Sequence, residues 1–301
     1  MDRKETAYEM AKSTVELTRA PLISLLTDFG LVDSYVSEMK AAILSICPSA
    51  RIIDISHLVE KFNTRMGAFL LASAAASFPA GTVHVAVVDP GVGSARRPIV
   101  VETERSFFVG PDNGLLIPAA QAEHILHVYH VTDHSMMRDE VFATFHRRDI
   151  FASVAAHLAC GTSEKGCGVE IMDYLRPSYA EPRFDGKTLL CEVFYVDGFG
   201  NIVTNLTKRR LSELNVKTRE KVRVLMGKKR VSVRYVSTYS DLRENEFGLL
   251  IGSHGFLEIA CREKSAAKRV GARIGMTVRF SGAWAHRLGP AHANAHPRKS
   301  S

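Results

Sequence analysis

The chain has little that would staple it, anchor it or commit it to a nucleotide. Its five cysteines (Cys47, Cys160, Cys167, Cys191 and Cys261) are odd in number and scattered, without a Cys-x-x-Cys pair. That argues against a disulfide scaffold or a zinc site and for reduced thiols, as in a cytoplasmic protein. No apolar run approaches the ~20 residues needed to cross a bilayer. The first 20 residues carry Asp2, Glu5, Glu9 and Glu16 and lack an apolar core, so they read as a helical or disordered extension and not as a secretory signal. There is no Gly-x-Gly-x-x-Gly after the first strand, no Walker lysine and no Gly-x-Ser-x-Gly elbow, so nucleotide hydrolysis and serine-hydrolase chemistry lack their usual supports. No internal repeat is found. Aromatic residues are missing from the basic stretches too. The net charge is +7, with much of the excess between Lys208 and Arg230 and in the tail (Arg287, Arg298, Lys299). Between Lys217 and Arg223 the basic residues alternate with polar or apolar ones, the pattern of a strand's wet face, and nothing is interleaved to stack bases. No nucleic-acid partner and no membrane contact are expected.

What is present is globular: 301 residues, 46% apolar and 24% charged, enough for one large domain or two ordinary ones. Leu22 to Leu26 reads as a short buried strand ending in Thr27-Asp28-Phe29-Gly30. Asp33 or Ser34 is expected to cap a helix with apolar positions Tyr35, Val36, Met39, Ile43, Leu44 and Ile46, stopped by Pro48. Arg51 to Ile55 returns as a strand, Met66 to Phe78 is a small-residue helix, and Thr82 to Val87 is a buried strand. Strands and helices in alternation predict an N-terminal α/β domain with a central, mostly parallel sheet.

The last of these strands delivers Asp89 into Pro90-Gly91-Val92-Gly93, a turn in which proline fixes φ and glycine accepts positive φ. Arg96 and Arg97 follow at once. An acid and a guanidinium on one turn at a strand's carboxyl end stand where open α/β sheets place ligands. Further on, Gly110 to Gly114 is a turn, His124 to His130 a strand, and the spacing predicts a helix over 150–158 with Gly161 past its end. His146 is expected on the loop leading into that helix.

From Met172 to Lys187 the composition is that of a linker, and beyond it short strands alternate with glycine-bearing turns. The expected organisation is an extension over 1–20, an α/β domain over 21–176, a small β-barrel over 188–281 and a disordered tail over 282–301. His292 and His296 in the tail lack a third ligand type, so no metal site is expected.

A set of motifs, in order along the chain, resembles one family. They are Thr27-Asp28-Phe29-Gly30, Asp54-Ile-Ser-His57, Gly81-Thr-Val-His84, Asp89-Pro-Gly-Val-Gly93 with Arg96-Arg97, and Pro111-Asp112-Asn113-Gly114. Thr144-Phe-His146-x-Arg148-Asp149, Asp197-Gly-Phe-Gly-Asn201 and Gly252-Ser-His-Gly255 complete it. The family is the S-adenosyl-L-methionine hydroxide adenosyltransferases, adenosine-forming hydrolases related to the fluorinases and chlorinases, and the match runs from Leu22 to Phe280.

The resemblance implies an α/β domain followed by a β-barrel, and a homotrimer whose substrate lies between the first domain of one subunit and the second domain of its neighbour. It implies that water or hydroxide attacks C5′ of the ribose of S-adenosyl-L-methionine, releasing methionine and leaving adenosine. That compound is the substrate, and no separate cofactor or metal is implied. Asp89, Arg96 and His146 stand at the positions of the family's triad. Asp89 or His146 would accept the water's proton, while Arg96 would hold the oxygen or keep Asp89 ionised. The halogenating relatives lack the acid and the histidine, so water is the implied nucleophile; the alternatives are a halogenase or a non-catalytic binder of adenosyl ligands. Asp28 resembles the acid that grips the ribose hydroxyls, and Asp197 and Ser253, with His254 beside them, the residues holding the methionine ammonium and carboxylate. Phe145, Phe199 and Asn201 resemble the adenine surroundings, and Phe62 and Tyr239 the aromatics near ribose or base. The chain departs from the pattern at Arg147, where a small residue is usual, at Asn63, and in Cys261-Arg-Glu-Lys.

Overall fold

A computed structural model describes residues 20–91, 93–137, 146–185, 188–214 and 216–281, with the backbone alone over 146–149. The expected extension and tail, Phe145 and the side chains of His146 and Arg147 lie outside the described residues. Two compact units are present. The first includes the chain to Asn63, Ser77–Leu116 and Ala120–Tyr174; the second takes Thr64–Ala76, Ile117–Ala119 and the chain from Leu175.

The first unit is built on β1 (Leu22–Thr27), α1 (Tyr35–Ile46) and β2 (Arg51–Ser56). After α2 (Thr64–Ala75), which belongs to the second unit, come β3 (Val83–Val87), β4 (Pro98–Thr103), β5 (Phe107–Pro111), α3 (Ile117–Ala122), whose first three residues belong to the second unit, β6 (Ile125–Val131), α4 (His146–Ala159) and β7 (Gly168–Glu170). The sheet order is β2-β1-β3-β5-β4-β6-β7. β1, β2, β3 and β5 are mutually parallel, β4 and β7 run against their neighbours, and β6 shares the direction of β5. Valines and isoleucines make these strands, and burial on both faces explains why β3 reads as a continuous apolar run. Val83, Val85 and Val87 pack with Ile23, Leu25, Met39 and Ile43, and with Phe151, Val154 and Ala155 of α4. His84, on β3's other face, is fully buried and stacks on Phe108 with ring centroids 4.8 Å apart.

Two helix starts differ from expectation. Ser34 does stand at the N-cap of α1, but with helical φ and no cap hydrogen bond; its hydroxyl donates to Glu38 Oε1 at 2.5 Å. α4 begins at His146 and not near Ile150, so His146 is the first helical residue; its arginines are good helix formers and extend the first turn. The other end is as expected. Gly161 adopts φ +88°, with Gly161 N–H on Leu158 O and Thr162 N–H on His157 O, both 3.0 Å, a Schellman closure.

The second unit contains β8 (Arg183–Phe184), β9 (Leu189–Val196), β10 (Ile202–Thr207), α5 (Lys208–Glu213), β11 (Lys221–Met226), β12 (Lys229–Tyr235), β13 (Phe247–Ile251), β14 (Phe256–Cys261), α6 (Ala266–Val270) and β15 (Thr277–Ser281). Its order β10-β14-β13-β12-β11-β15-β9 returns to β10 through the β9/β10 pairing, closing a barrel, and β8 adds to the outside of β9. Closure removes the sheet's free edges. β12 and β13 pair in parallel. Val193, Leu206, Val222, Val224, Leu249, Leu257, Ile259 and Phe280 fill the interior. β11 alternates exposed Lys221 and Arg223 with buried Val222 and Val224, the wet face expected of that basic stretch. α2 lies on β9, where Phe69 stacks on Tyr195 at 4.5 Å.

β10 is a strand that the sequence pattern hid: Thr204 and Asn205 interrupt its apolar run, yet both are buried. The five cysteines are all free thiols. Among the described residues no helix is long and apolar enough to cross a membrane.

Candidate active site

In the first unit Asp28 and Asp89, two of the expected site residues, stand at the carboxyl ends of neighbouring parallel strands. Thr27 of β1 is in register with Val87 of β3, so Asp28 and Asp89 leave adjacent strands at the same edge of the sheet. β5 ends beside them in Pro111-Asp112-Asn113. This is the edge at which α/β sheets hold ligands.

Asp89 forms an ion pair with Arg96 through Oδ1 and Nη2, the two side chains being 3% and 12% exposed. The Gly91 N–H also donates to Asp89 Oδ1, at 3.0 Å, so the turn curls back on its own acid. A Cβ at Gly91 would sit 3.4 Å from both terminal nitrogens of Arg96. The guanidinium therefore lies close over the glycine backbone, where a larger side chain would compete for the space. Two other side chains brace this turn. Asn113 Nδ2 donates to the Val88 carbonyl oxygen at 2.8 Å, and Arg97 donates from Nε (3.1 Å) and Nη2 (2.7 Å) to Asp112 Oδ2. Arg97 also pairs with Asp173 at 2.8 Å; these two carboxylates hold its charge in place and raise its pKa. Arg96 is thus the arginine facing the acid, and Arg97 is a clamp.

Asp28 is buried and its Oδ2 accepts the Phe62 N–H at 2.8 Å. Phe62 has a left-handed backbone (φ +63°) and a largely exposed ring. The loop around Asp28 is held from below. Phe29 N–H donates to Thr27 Oγ1 (3.2 Å), Thr27 Oγ1 meets His57 Nδ1 (2.8 Å), and His57 Nε2 lies 3.2 Å from Asp54 Oδ1. Lys40 Nζ closes the chain on Asp54 Oδ2 at 2.6 Å. Burial pushes the Asp54 carboxyl upward, but Lys40 and His57 outweigh it and hold the acid below its ordinary range. His84 has a different character. Burial, with Arg105's charge, lowers its pKa to about 4, and Ser24 Oγ meets its Nδ1 at 2.6 Å, so it is a neutral core histidine.

In the second unit Asp197 organises its own turn. Its Oδ1 accepts the N–H groups of Phe199 (3.0 Å) and Asn201 (2.8 Å), and its Oδ2 accepts Asn201 Nδ2 (2.9 Å). Phe199 projects from that turn 85% exposed, an apolar ring left in solvent within this unit. A cavity of about 580 Å³ opens beside it, lined among others by Asp197, Phe199, Ser265, Lys268 and Ile274. Ser253 and His254 occupy the exposed turn between β13 and β14. Tyr239 donates its hydroxyl to Glu258 Oε2 at 2.7 Å, and His254 Nδ1 lies 3.6 Å from Glu258 Oε1. Glu258 was not among the expected site residues. A lone acid in the run Phe-Leu-Glu-Ile-Ala-Cys carries no distinguishing spacing, and only the fold shows that it is buried.

The structure thus brings Asp28, Asp89 and Arg96 to one sheet edge in the first unit, and Tyr239 and His254 to one buried acid in the second. The side chain of His146 and the whole of Phe145, also expected at the site, lie outside the described residues. Comparison with known proteins gives the family. Residues 23–168 match the model of the SAM hydroxide adenosyltransferase N-terminal domain, and residues 191–279 match that of the C-terminal domain. The chain belongs to this family. It is 38% identical over 266 residues to the (R)-S-adenosyl-L-methionine hydrolase of Salinispora tropica, covering 87% of this chain and 98% of that protein. It is 35% identical to the protein of the same name from Methanocaldococcus jannaschii, over 82% of this chain and 90% of that one. A fluorinase from an Actinoplanes strain is more distant, at 25% identity over 86% and 96%. A crystal structure of a conserved protein from Thermotoga maritima superposes with a TM-score of 0.75 at 35% identity, covering 86% of this chain and all of that one. The adenosyltransferase family therefore spans both units.

Proposed function

We propose that the protein hydrolyses S-adenosyl-L-methionine to adenosine and L-methionine, a reading carried by its match, at 34–41% identity, to proteins named (R)-S-adenosyl-L-methionine hydrolases. In the reaction the water oxygen bonds to ribose C5′ as the C5′–S bond breaks. The bonding pair returns to sulfur, turning the sulfonium into the neutral thioether of methionine. A sulfonium is already an activated leaving group, so the chemistry asks for no metal and no leaving-group acid. What remains for the protein is to align water with C5′ and to take its proton.

Asp89, Arg96 and His146 are the residues we assign to that task. The ion pair between Asp89 and Arg96 supports it: a neighbouring guanidinium favours the ionised carboxylate, which can orient water through its O–H groups and repels a halide anion. Asp89 or His146 takes the proton and passes it to solvent. Asp28 holds the ribose hydroxyls; Asp197, Ser253 and His254 bind the amino-acid end; Phe62, Phe145, Phe199, Asn201 and Tyr239 surround ribose and adenine. We further propose a homotrimer in which one copy supplies the residues of the first set and a neighbour those of the barrel, with the exposed Phe199 ring covered on assembly. Free thiols support a cytoplasmic setting.

The test is incubation of purified protein with S-adenosyl-L-methionine in halide-free buffer, with adenosine and methionine followed by chromatography. Equal amounts of the two products, unaffected by added chloride or fluoride, are expected. Products that appear only with halide would establish a halogenase, and binding without turnover a binder.

A further inference from the structure

β14 carries one charged residue. Leu257 and Ile259 point into the barrel, so Glu258 lies on the outer side with Phe256 and Ala260, yet it is only 1% exposed. A buried carboxylate is costly unless its oxygens are satisfied and its charge is used. Among the described residues the imidazole facing it is that of His254, with Nδ1 3.6 Å from Oε1, and its hydrogen-bond donor is Tyr239, at 2.7 Å. The turn bearing Ser253 and His254 is shaped around the acid. A Cβ on Gly252 would overlap the Glu258 carboxylate, so glycine lets the backbone close over it. Gly252 N–H on Phe256 O and Gly255 N–H on Gly252 O, both 3.0 Å, then lock the turn.

We propose that Glu258 is a positioning and specificity residue: through His254 it sets the amino-acid end of the site and through Tyr239 the ribose and base side beside it, and its carboxylate favours a cationic adenosyl substrate over neutral adenosyl compounds. The inference rests on the assignment of Tyr239, Ser253 and His254 to substrate binding. S-adenosyl-L-methionine brings two positive groups, the sulfonium and the ammonium, against one carboxylate, whereas adenosine brings none. The Glu258 and Asp197 charges reach the same tyrosine hydroxyl, which burial and these two acids hold un-ionised well above its ordinary range. The two carboxylates thus act on one small region, and removing either makes that region more positive.

The experiment compares wild type with Glu258→Gln, which keeps an oxygen acceptor for Tyr239 and deletes the charge. The KM for S-adenosyl-L-methionine is expected to rise about ten-fold, with kcat within about three-fold and the inhibition constant of adenosine within about two-fold. A rise shared equally by both ligands, or no rise in either, would reduce Glu258 to a packing residue and overturn the proposal. If Glu258→Gln does not fold, Glu258→Asp decides: it keeps the charge and withdraws it from Tyr239. Preference for the substrate over adenosine must then stay within about two-fold of wild type while kcat falls, and a lost preference contradicts the charge argument. If wild type neither turns over S-adenosyl-L-methionine nor binds it by calorimetry, the proposed function fails and this inference with it. Turnover with an unaltered ligand preference in Glu258→Gln sinks the inference alone.

Discussion

Asn113 and Val88 are joined by a hydrogen bond from the side-chain Nδ2 to the main-chain carbonyl oxygen, 2.8 Å long. The residue immediately before Asp89 is therefore fixed by the turn that follows the neighbouring strand β5, and Asn113 Oδ1 in turn accepts the Leu115 N–H at 3.1 Å. The acid at the end of β3 inherits its direction from this brace. Asn113→Ala removes the donor and leaves a carbonyl unpaired near the sheet edge. A loss of about 1–2 kcal/mol in stability is expected, seen as a melting point lower by a few degrees. The rate of adenosine formation should fall further than that loss explains, because the turn carrying Asp89 and Arg96 loosens.

Asp89→Asn keeps the shape of the turn and removes the charge that Arg96 faces. Adenosine formation is expected to slow by about 10²–10⁴-fold, while binding of adenosine, measured by calorimetry, changes little. A variant with undiminished turnover would remove Asp89 from the chemistry.

His84 gives the first unit a predictable acid sensitivity. Its folded pKa of about 4 lies below the ordinary value of 6.5 because burial, and then Arg105, disfavour the charged ring. Above pH 6.5 neither state binds the proton and the contribution is fully present. As pH falls from 6.5 towards 4 the unfolded chain takes up a proton that the folded one refuses, and about 3 kcal/mol of stability is lost. Denaturant midpoints measured across this window should decline in wild type, and decline less in His84→Gln.

Gly200 has φ +83°, and a Cβ there would overlap Ser265, the N-cap of α6. Gly200→Ala is expected to destabilise the second unit by about 2 kcal/mol or more and to spoil the Asp197 turn, raising the KM for the substrate. A melting curve and a KM both equal to wild type would show that the turn relaxes freely.

Much of this architecture is legible in the sequence because its signals are local. The run Val-His-Val-Ala-Val announces a strand buried on both faces, and Asp89-Pro-Gly announces the turn after it. Gly161 closes α4 as its position suggests. What could not be read is non-local. β10 is hidden by Thr204 and Asn205, polar residues that become buried only because the barrel closes over them. Asp112, Asn113 and His84 are visible as motif residues, but only the three-dimensional contacts show what each one does: a clamp for Arg97, a brace for Val88 and a neutral core ring. Glu258 gave no signal at all, since a single acid in an apolar strand has the same spacing whether it faces solvent or lies beneath a tyrosine.

Hydrolysis in water enriched in oxygen-18 tests the central claim most directly. If water attacks C5′, the adenosine released from S-adenosyl-L-methionine carries one heavy oxygen at its 5′ position, the methionine carries none, and Asp89→Asn suppresses the labelled product. Unlabelled adenosine, or 5′-methylthioadenosine in its place, would contradict the account, because the bond broken or the nucleophile used would then be a different one.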